Sequence, residues 1–270
     1  MLRLSRNNLV KPIVPVLIET EHNESAFNDV ANWVYNNFEL SKYAPVLGEH
    51  TPLFSFSTIK SFYLVSALVS GPDLEQIGKD NNVKSVYPNK LRGILQVFPY
   101  VPPEGVYYAP YNVKVKGSEK VQYMYFTSMT WVKKLIGADV ANAEGYTGKG
   151  VKIAVVDTGG TFANPQTFGK IIKQTAIPGV YTDANGHGEW VVSSIVGKAY
   201  EDQVFSRINK KPVINEGVAP DATLYSIKGL GLIVGTGSDS MLIRGLEIAL
   251  LDRVHMVSNS WGGDATGLKS

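Results

Sequence analysis

The chain has 270 residues, 26 basic and 24 acidic side chains, a formal net charge of +2, 44% hydrophobic residues and no cysteine. That length allows one large or two ordinary domains, and the hydrophobic content supports a sizeable core and excludes global disorder. The near-balanced charge, with no basic run interleaved with aromatics, argues against nucleic acid, and the lack of cysteine excludes disulfides, a thiol nucleophile and Cys-ligated metal.

Residues 1–8 contain no apolar core of signal-peptide length. No segment is long and apolar enough to span a bilayer. The run 11–19 predicts a strand, and Pro15 within it suggests a sheet edge. Ser25 is a candidate cap for a helix through Phe38, with Phe27, Val30, Ala31 and Val34 at i, i+3, i+4, i+7. Strands follow over 53–56 and 62–69, rich in aromatic and β-branched residues. Ser70-Gly71-Pro72-Asp73 opens a short helix with Leu74 and Ile77 facing inward. A strand over 83–87 closes the series. The order is β-α-β-β-α-β, the split βαβ or ferredoxin-like pattern. Several prolines and tyrosines between 89 and 130 oppose regular helix. That stretch reads as a linker or extended arm, a surface connection without chemistry, with a strand pair near 112–126.

From about Met129 helices and strands alternate. Helix 131–143 is stopped at Gly145. Then come strand 151–157, helix 187–197, strand 223–228, helix 239–251 and strand 255–260. Ser238 or Asp239 caps the 239–251 helix, whose inner face is Met241, Leu242, Gly245, Leu246 and Ala249. Such alternation implies a parallel sheet covered on both sides, with function at the carboxyl ends of its strands.

Asp157 lies at one such end. It closes the apolar run Val151-Lys152-Ile153-Ala154-Val155-Val156, and Thr158-Gly159-Gly160 follows. His187 lies in Asn185-Gly186-His187-Gly188, a Gly-flanked turn entering a buried helix. This pair is suited to orienting and polarising an imidazole general base. Taken alone, Asp157-Thr158-Gly159 is also the aspartic-protease signature, but that chemistry needs two carboxylates and no second copy exists. His22, His50 and His255 have no ligand-like partners by spacing. No Cys or HExxH pattern supports zinc near His187, so no metal site is assigned.

Four segments together resemble the first half of a subtilisin-like serine protease. They are Asp157-Thr158-Gly159 with the strand before it, Gly186-His187-Gly188, Gly217-Val218-Ala219-Pro220, and Ser258-Asn259-Ser260-Trp261-Gly262-Gly263. The N-terminal domain resembles the inhibitory propeptide of the same family. The resemblance implies a partial, parallel, doubly wound α/β sheet over 129–270. It is preceded by a small α+β ferredoxin-like domain over 1–90 and an arm over 91–128. It implies peptide-bond hydrolysis by acyl transfer. His187 takes a serine's proton and Asp157 holds the imidazole tautomer. Ser260, Trp261 and Gly262 match one strand flanking the substrate, and Gly235, Thr236 and Gly237 match the other. Both bind peptide as an added strand. The implied partners are a peptide or protein substrate and the intramolecular propeptide, with no nucleic acid and no membrane span. Calcium sites occur in many members, but no ligand is assigned among Asp202, Asp221, Asp239 and Asp264. Members are commonly extracellular.

Two departures stand out. The serine motif of the family comes well downstream of the histidine, and residues 188–270 hold none. Thr127-Ser128-Met129 echoes it but precedes Asp157 and lacks the glycine. The expectation is a zymogen's N-terminal part, inactive as 270 residues, with the serine beyond Ser270. The alternative is a non-catalytic peptide-binding or inhibitory module. The second departure is Glu189-Trp190 where the family continues Thr-His. A carboxylate and an indole there would raise the imidazole pKa or narrow the cleft.

Overall fold

The computed structural model describes residues 13–38, 46–47, 51–52, 56–94, 106–115, 118–160, 164–177, 181–203, 206–207, 210–231 and 235–263. Its N-terminal elements are β1 (Ile13–Thr20), α1 (Glu24–Asn37), β2 (Val46–Leu47), β3 (Thr51–Pro52), β4 (Ser57–Ile59), β5 (Leu64–Ser70), α2 (Gly71–Ile77) and β6 (Val83–Pro88). Four of these strands form a sheet in the order β4-β5-β1-β6, with antiparallel pairing throughout. Ile18, Val65 and Val69 on the sheet pack against Phe27, Val30 and Val34 of α1 and Ile77 of α2. Each fully buried aliphatic side chain there contributes about 1.5–3 kcal/mol.

Several local expectations need correction. Pro15 sits on a central strand, not an edge. It lies beyond the last β1–β6 rung, Val16↔Pro88, so its missing N–H costs no ladder bond there. The cap of α1 is Asn23, whose side chain accepts the Ala26 N–H at 2.8 Å. Ser25 lies inside the helix. The strand expected over 62–69 starts at Leu64, after a 3-10 turn over Lys60–Phe62. Ile77 is buried as expected, but Leu74 is exposed. Residues 53–55 of the 53–56 strand lie outside the described residues.

The described residues of the 89–130 stretch form regular strands, which a plain connection would not. Leu91–Ile94 forms β7, and β8 (Val106–Val115) pairs along its whole length with β9 (Ser118–Thr127). The expected strand pair is therefore two ten-residue strands. The single helix expected over 131–143 is two, α3 (Met129–Ile136) and α4 (Ala138–Ala143), broken at Gly137 with φ 73°.

The remaining elements are β10 (Lys152–Asp157), β11 (Ile171–Thr175), α5 (His187–Val196), β12 (Tyr200–Glu201), β13 (Ile214–Asn215), β14 (Thr223–Lys228), β15 (Thr236–Ser238), α6 (Asp239–Leu251), β16 (Met256–Ser258) and β17 (Trp261–Gly262). A parallel sheet runs β11-β14-β10-β16. Alternate side chains of β10 point to opposite faces. Ile153 and Val155 meet Val191, Val192 and Val196 of α5. Ala154 and Val156 meet Leu242 and Ala249 of α6. The sheet is thus covered on both sides, which is why its strands read as continuous apolar runs. Among the described residues, no helix is long and apolar enough to cross a membrane.

Candidate active site

The parallel sheet brings its polar strand ends to one rim. Asp157 ends β10, and Lys228, its register partner, ends β14. His187 opens α5 at the same rim, and its Nδ1 lies 2.8 Å from Asp157 Oδ1. A carboxylate facing Nδ1 places the proton there. It leaves Nε2 as the acceptor, and this buried atom makes no hydrogen bond among the described residues. Asp157 also accepts the Thr158 N–H at 2.7 Å. Burial pushes the Asp157 carboxyl above its ordinary range, while the bonds from His187 and Thr158 pull it back.

The turn before α5 explains how the imidazole is aimed. Asp183 Oδ1 accepts the N–H groups of Asn185 and Gly186 at 3.0 and 2.8 Å, and Oδ2 accepts that of Glu189 at 2.9 Å. Asn185 Oδ1 takes the His187 N–H at 3.2 Å. Thr158 Oγ1 takes the Gly188 N–H at 2.8 Å. Side chains thus satisfy the donors that a helix N-terminus leaves open. The last of these bonds ties α5 to the loop carrying Asp157. Gly188 has a steric reason: a β-carbon there would overlap the Gly159 carbonyl. Gly159 has two, since its φ is +109° and a β-carbon would lie 2.6 Å from the Tyr181 carbonyl.

Lys228 is 1% exposed. Its ammonium donates to the carbonyls of Thr158 at 2.6 Å and Thr182 at 2.9 Å. It pins the loop after Asp157 to the segment before His187. Burial pushes its pKa down, and Asp183 and Asp157 pull it back up. Sequence reasoning missed both Lys228 and Asp183. A lysine ending an otherwise apolar strand, and an Asp-Ala-Asn-Gly turn before a helix, were the available signals.

Glu189 and Trp190 part company. The Glu189 carboxylate is buried and accepts from Asn164 Nδ2 at 2.7 Å and Thr167 Oγ1 at 2.6 Å. Trp190 meets the imidazole edge-on, with ring centroids 5.8 Å apart, yet is 65% exposed. Ser260 lines an open cavity of about 530 Å³ together with Trp190, Ser194 and Ser258.

The two segments expected to flank substrate pair with opposite edges of β7. Thr236 and Ser238 of β15 pair with Gly93 and Leu91 of β7, and Gly237 pairs with Arg92. On the other edge Trp261 and Gly262 pair with Ile94 and Gly93. Gly235 precedes β15 with φ 64°. The Trp261 indole N–H donates to the Val156 carbonyl at 3.0 Å, so this wall is fastened one residue before Asp157. Asp239, one of the acids considered for calcium, pairs with Arg92 at 2.6 Å. Among the described residues, no cluster of three or more His or acidic side chains is placed to hold a metal. His22 pairs with Glu19 at 3.0 Å, and His255 Nδ1 accepts the Lys152 N–H at 2.9 Å. His50 lies outside the described residues.

Residues 148–270 match the model of the subtilase family, Peptidase_S8. This segment is a subtilase domain. The chain is 35% identical over 138 residues to an alkaline protease of Alkalihalobacillus alcalophilus, covering 50% of this chain and 32% of the relative. It is 32% identical over 140 residues to subtilisin DY of Bacillus licheniformis, covering 50% and 46%. The match to the major intracellular serine protease of Bacillus subtilis is 32% over 141 residues, covering 48% and 40%. The chain thus spans less than half the length of these curated relatives. Fervidolysin from Fervidobacterium pennivorans, a keratinolytic enzyme related to subtilisin, shares the fold with a TM-score of 0.55 at 17% identity, over 96% of this chain and 37% of that one. One relative is named as intracellular, so membership of the family fixes no compartment.

Proposed function

We propose that this chain is the zymogen-type N-terminal portion of a subtilisin-like serine endopeptidase. The observation that carries the reading is the 2.8 Å contact between His187 Nδ1 and Asp157 Oδ1 at the rim of the parallel sheet. Asp157 holds the tautomer and stabilises the imidazolium. Nε2 takes the proton of a serine hydroxyl and returns it to the leaving amine. No residue of 1–270 is assigned as that serine. The strands β15 and β17 form a groove for an extended peptide. The N-terminal unit acts as an intramolecular propeptide. Its β4-β5-β1-β6 order supports the ferredoxin-like reading, and its tail fills the groove.

The test uses the natural full-length gene product. A fluorophosphonate probe should label the wild type at a serine downstream of residue 270 and fail on His187→Ala. Asp157→Asn should lower kcat by roughly 10⁴-fold, since it reverses the hydrogen-bond pattern at Nδ1. Labelling that survives His187→Ala removes His187 as the base. His187-dependent cleavage by residues 1–270 alone would show that the nucleophile lies inside them.

A further inference from the structure

The turn that aims His187 contains the chain's only Asn-Gly step, Asn185-Gly186. In such a step the backbone nitrogen of the glycine can close a five-membered ring on the side-chain carboxamide before it, and glycine has no β-carbon to hinder the approach. Here both reacting groups already have partners of the right kind. The Gly186 N–H donates to Asp183 Oδ1 at 2.8 Å, so a carboxylate faces the proton that must leave the nitrogen. Asp183 is buried, and its other oxygen takes the Glu189 N–H at 2.9 Å, which fixes the carboxylate in that orientation. On the electrophile, Asn185 Oδ1 accepts the His187 N–H at 3.2 Å. That donor stands where negative charge collects on the oxygen during attack on Cγ.

A second observation concerns room. Gly186 is exposed, and a β-carbon built on it would meet nothing within 4 Å. Ring closure at this turn therefore displaces no packed side chain, and water reaches the product. The glycine is also demanded by the backbone, whose φ there is +86°. The geometry that starts α5 thus builds the reactive dipeptide into the turn.

We propose that Asn185 is a self-modification site. The Gly186 nitrogen bonds to Asn185 Cγ as its proton passes to Asp183. The Cγ–Nδ2 bond then breaks, and the proton held by Asp183 leaves with the amide as ammonia. Water opens the resulting succinimide at either carbonyl and leaves aspartate or isoaspartate at 185. No oxidant or reductant is needed. Either product sets a new negative charge against Asp183. The isoaspartyl form also carries the backbone through the former side chain, which adds a methylene two residues ahead of His187 and unseats the imidazole from Asp157. This chemistry needs only the turn and does not depend on the proteolytic reading.

The test ages the folded 270-residue chain near neutral pH in heavy-oxygen water. Every asparagine is mapped by peptide mass spectrometry, and isoaspartate is counted by methyltransferase labelling. Heavy oxygen should enter residue 185 ahead of every other asparagine. It should enter roughly tenfold or more faster than in the same chain unfolded in urea, since only the folded turn holds the base and the donor in place. Asp183→Asn keeps an acceptor in the turn and removes the base, so it should bring the folded rate down to the unfolded one. The downfield signal of the proton between His187 Nδ1 and Asp157 should fall in proportion to the converted fraction. A folded rate equal to or below the unfolded rate would overturn the proposal, whether or not the variant folds. An unchanged rate in folded Asp183→Asn would remove Asp183 as the base. A proton signal that persists in fully converted chain would overturn the effect on the pair. None of these results touches the proteolytic reading, which fluorophosphonate labelling decides separately.

Discussion

At the level of single residues, the Asp157–His187 pair depends on groups outside it. Lys228 is the clearest. Lys228→Met keeps an unbranched apolar stem and leaves the Thr158 and Thr182 carbonyls without their ammonium. Each orphaned acceptor costs about 1–3 kcal/mol, and removing a buried charge returns part of that. The expected net loss is about 1–3 kcal/mol, measured as a lowered urea midpoint with an unchanged slope. An unchanged midpoint would mean that the ammonium's own burial cost cancels its bonds. Asp157 and His187 could be found in the sequence because chemistry restricts their residue types and turns mark their places. Lys228 is marked only as a lysine ending an apolar strand, and its role arises from strand register. Only when β14 lies beside β10 does residue 228 fall opposite residue 157.

Within the elements, charge pairing across strands makes one region sensitive to acid. Glu19 on β1 accepts from Lys84 at 2.8 Å and Tyr87 at 2.9 Å on β6, and pairs with His22. These bonds, that of Lys84 above all, hold its carboxyl at about 2, down from an ordinary 4.5. A depressed carboxyl stabilises the fold above its unfolded pKa, and that contribution is lost as pH falls through the folded one. The N-terminal sheet should therefore lose stability between about pH 4.5 and 2. Glu19→Gln should flatten that part of a denaturation-midpoint profile and leave the profile above pH 5 parallel to the wild type. Identical slopes below pH 4.5 in both proteins would remove Glu19 as the cause. The types of these elements followed from periodicity, including the α1 face and the alternation of strand and helix after Met129. The failures were local. Asn23 outcompeted Ser25 as a cap, Gly137 broke one helix into two, and β11 carries no strong apolar alternation, with Lys173 and Gln174 at its centre. Strand β7 was hidden because four residues with a central glycine look like a linker until a partner stands on each side.

Across the whole molecule, the N-terminal unit and the subtilase domain meet on α6. The Ser61 N–H donates to Glu247 Oε1 at 2.7 Å, and Arg244 Nη1 donates to the Thr58 carbonyl at 2.9 Å and to Glu247 Oε2 at 2.7 Å. Asn89 bridges the two units, donating to Ser66 Oγ and Ser240 Oγ and accepting the Ser240 N–H. Glu247 is buried here, so Glu247→Ala removes an acceptor from Ser61 and a partner from Arg244. Amide exchange at Ser61 should rise at least tenfold, the equivalent of about 1.4 kcal/mol, while exchange in the middle of β1 stays slow. Unchanged exchange at Ser61 would show that the contact contributes nothing to docking. None of this was readable from the chain, because residues 58, 61, 89, 244 and 247 show no shared pattern until two separate units are apposed.

The indole bond from Trp261 to the Val156 carbonyl has a mechanical consequence. One wall of the groove and the acid of the pair hang from neighbouring peptide units of the same strand. Under the proposed function, a peptide pressing on that wall pulls on the backbone immediately ahead of the carboxylate. Softening the end of that strand would loosen grip and alignment together, so the two properties should fade at the same denaturant concentration instead of one after the other.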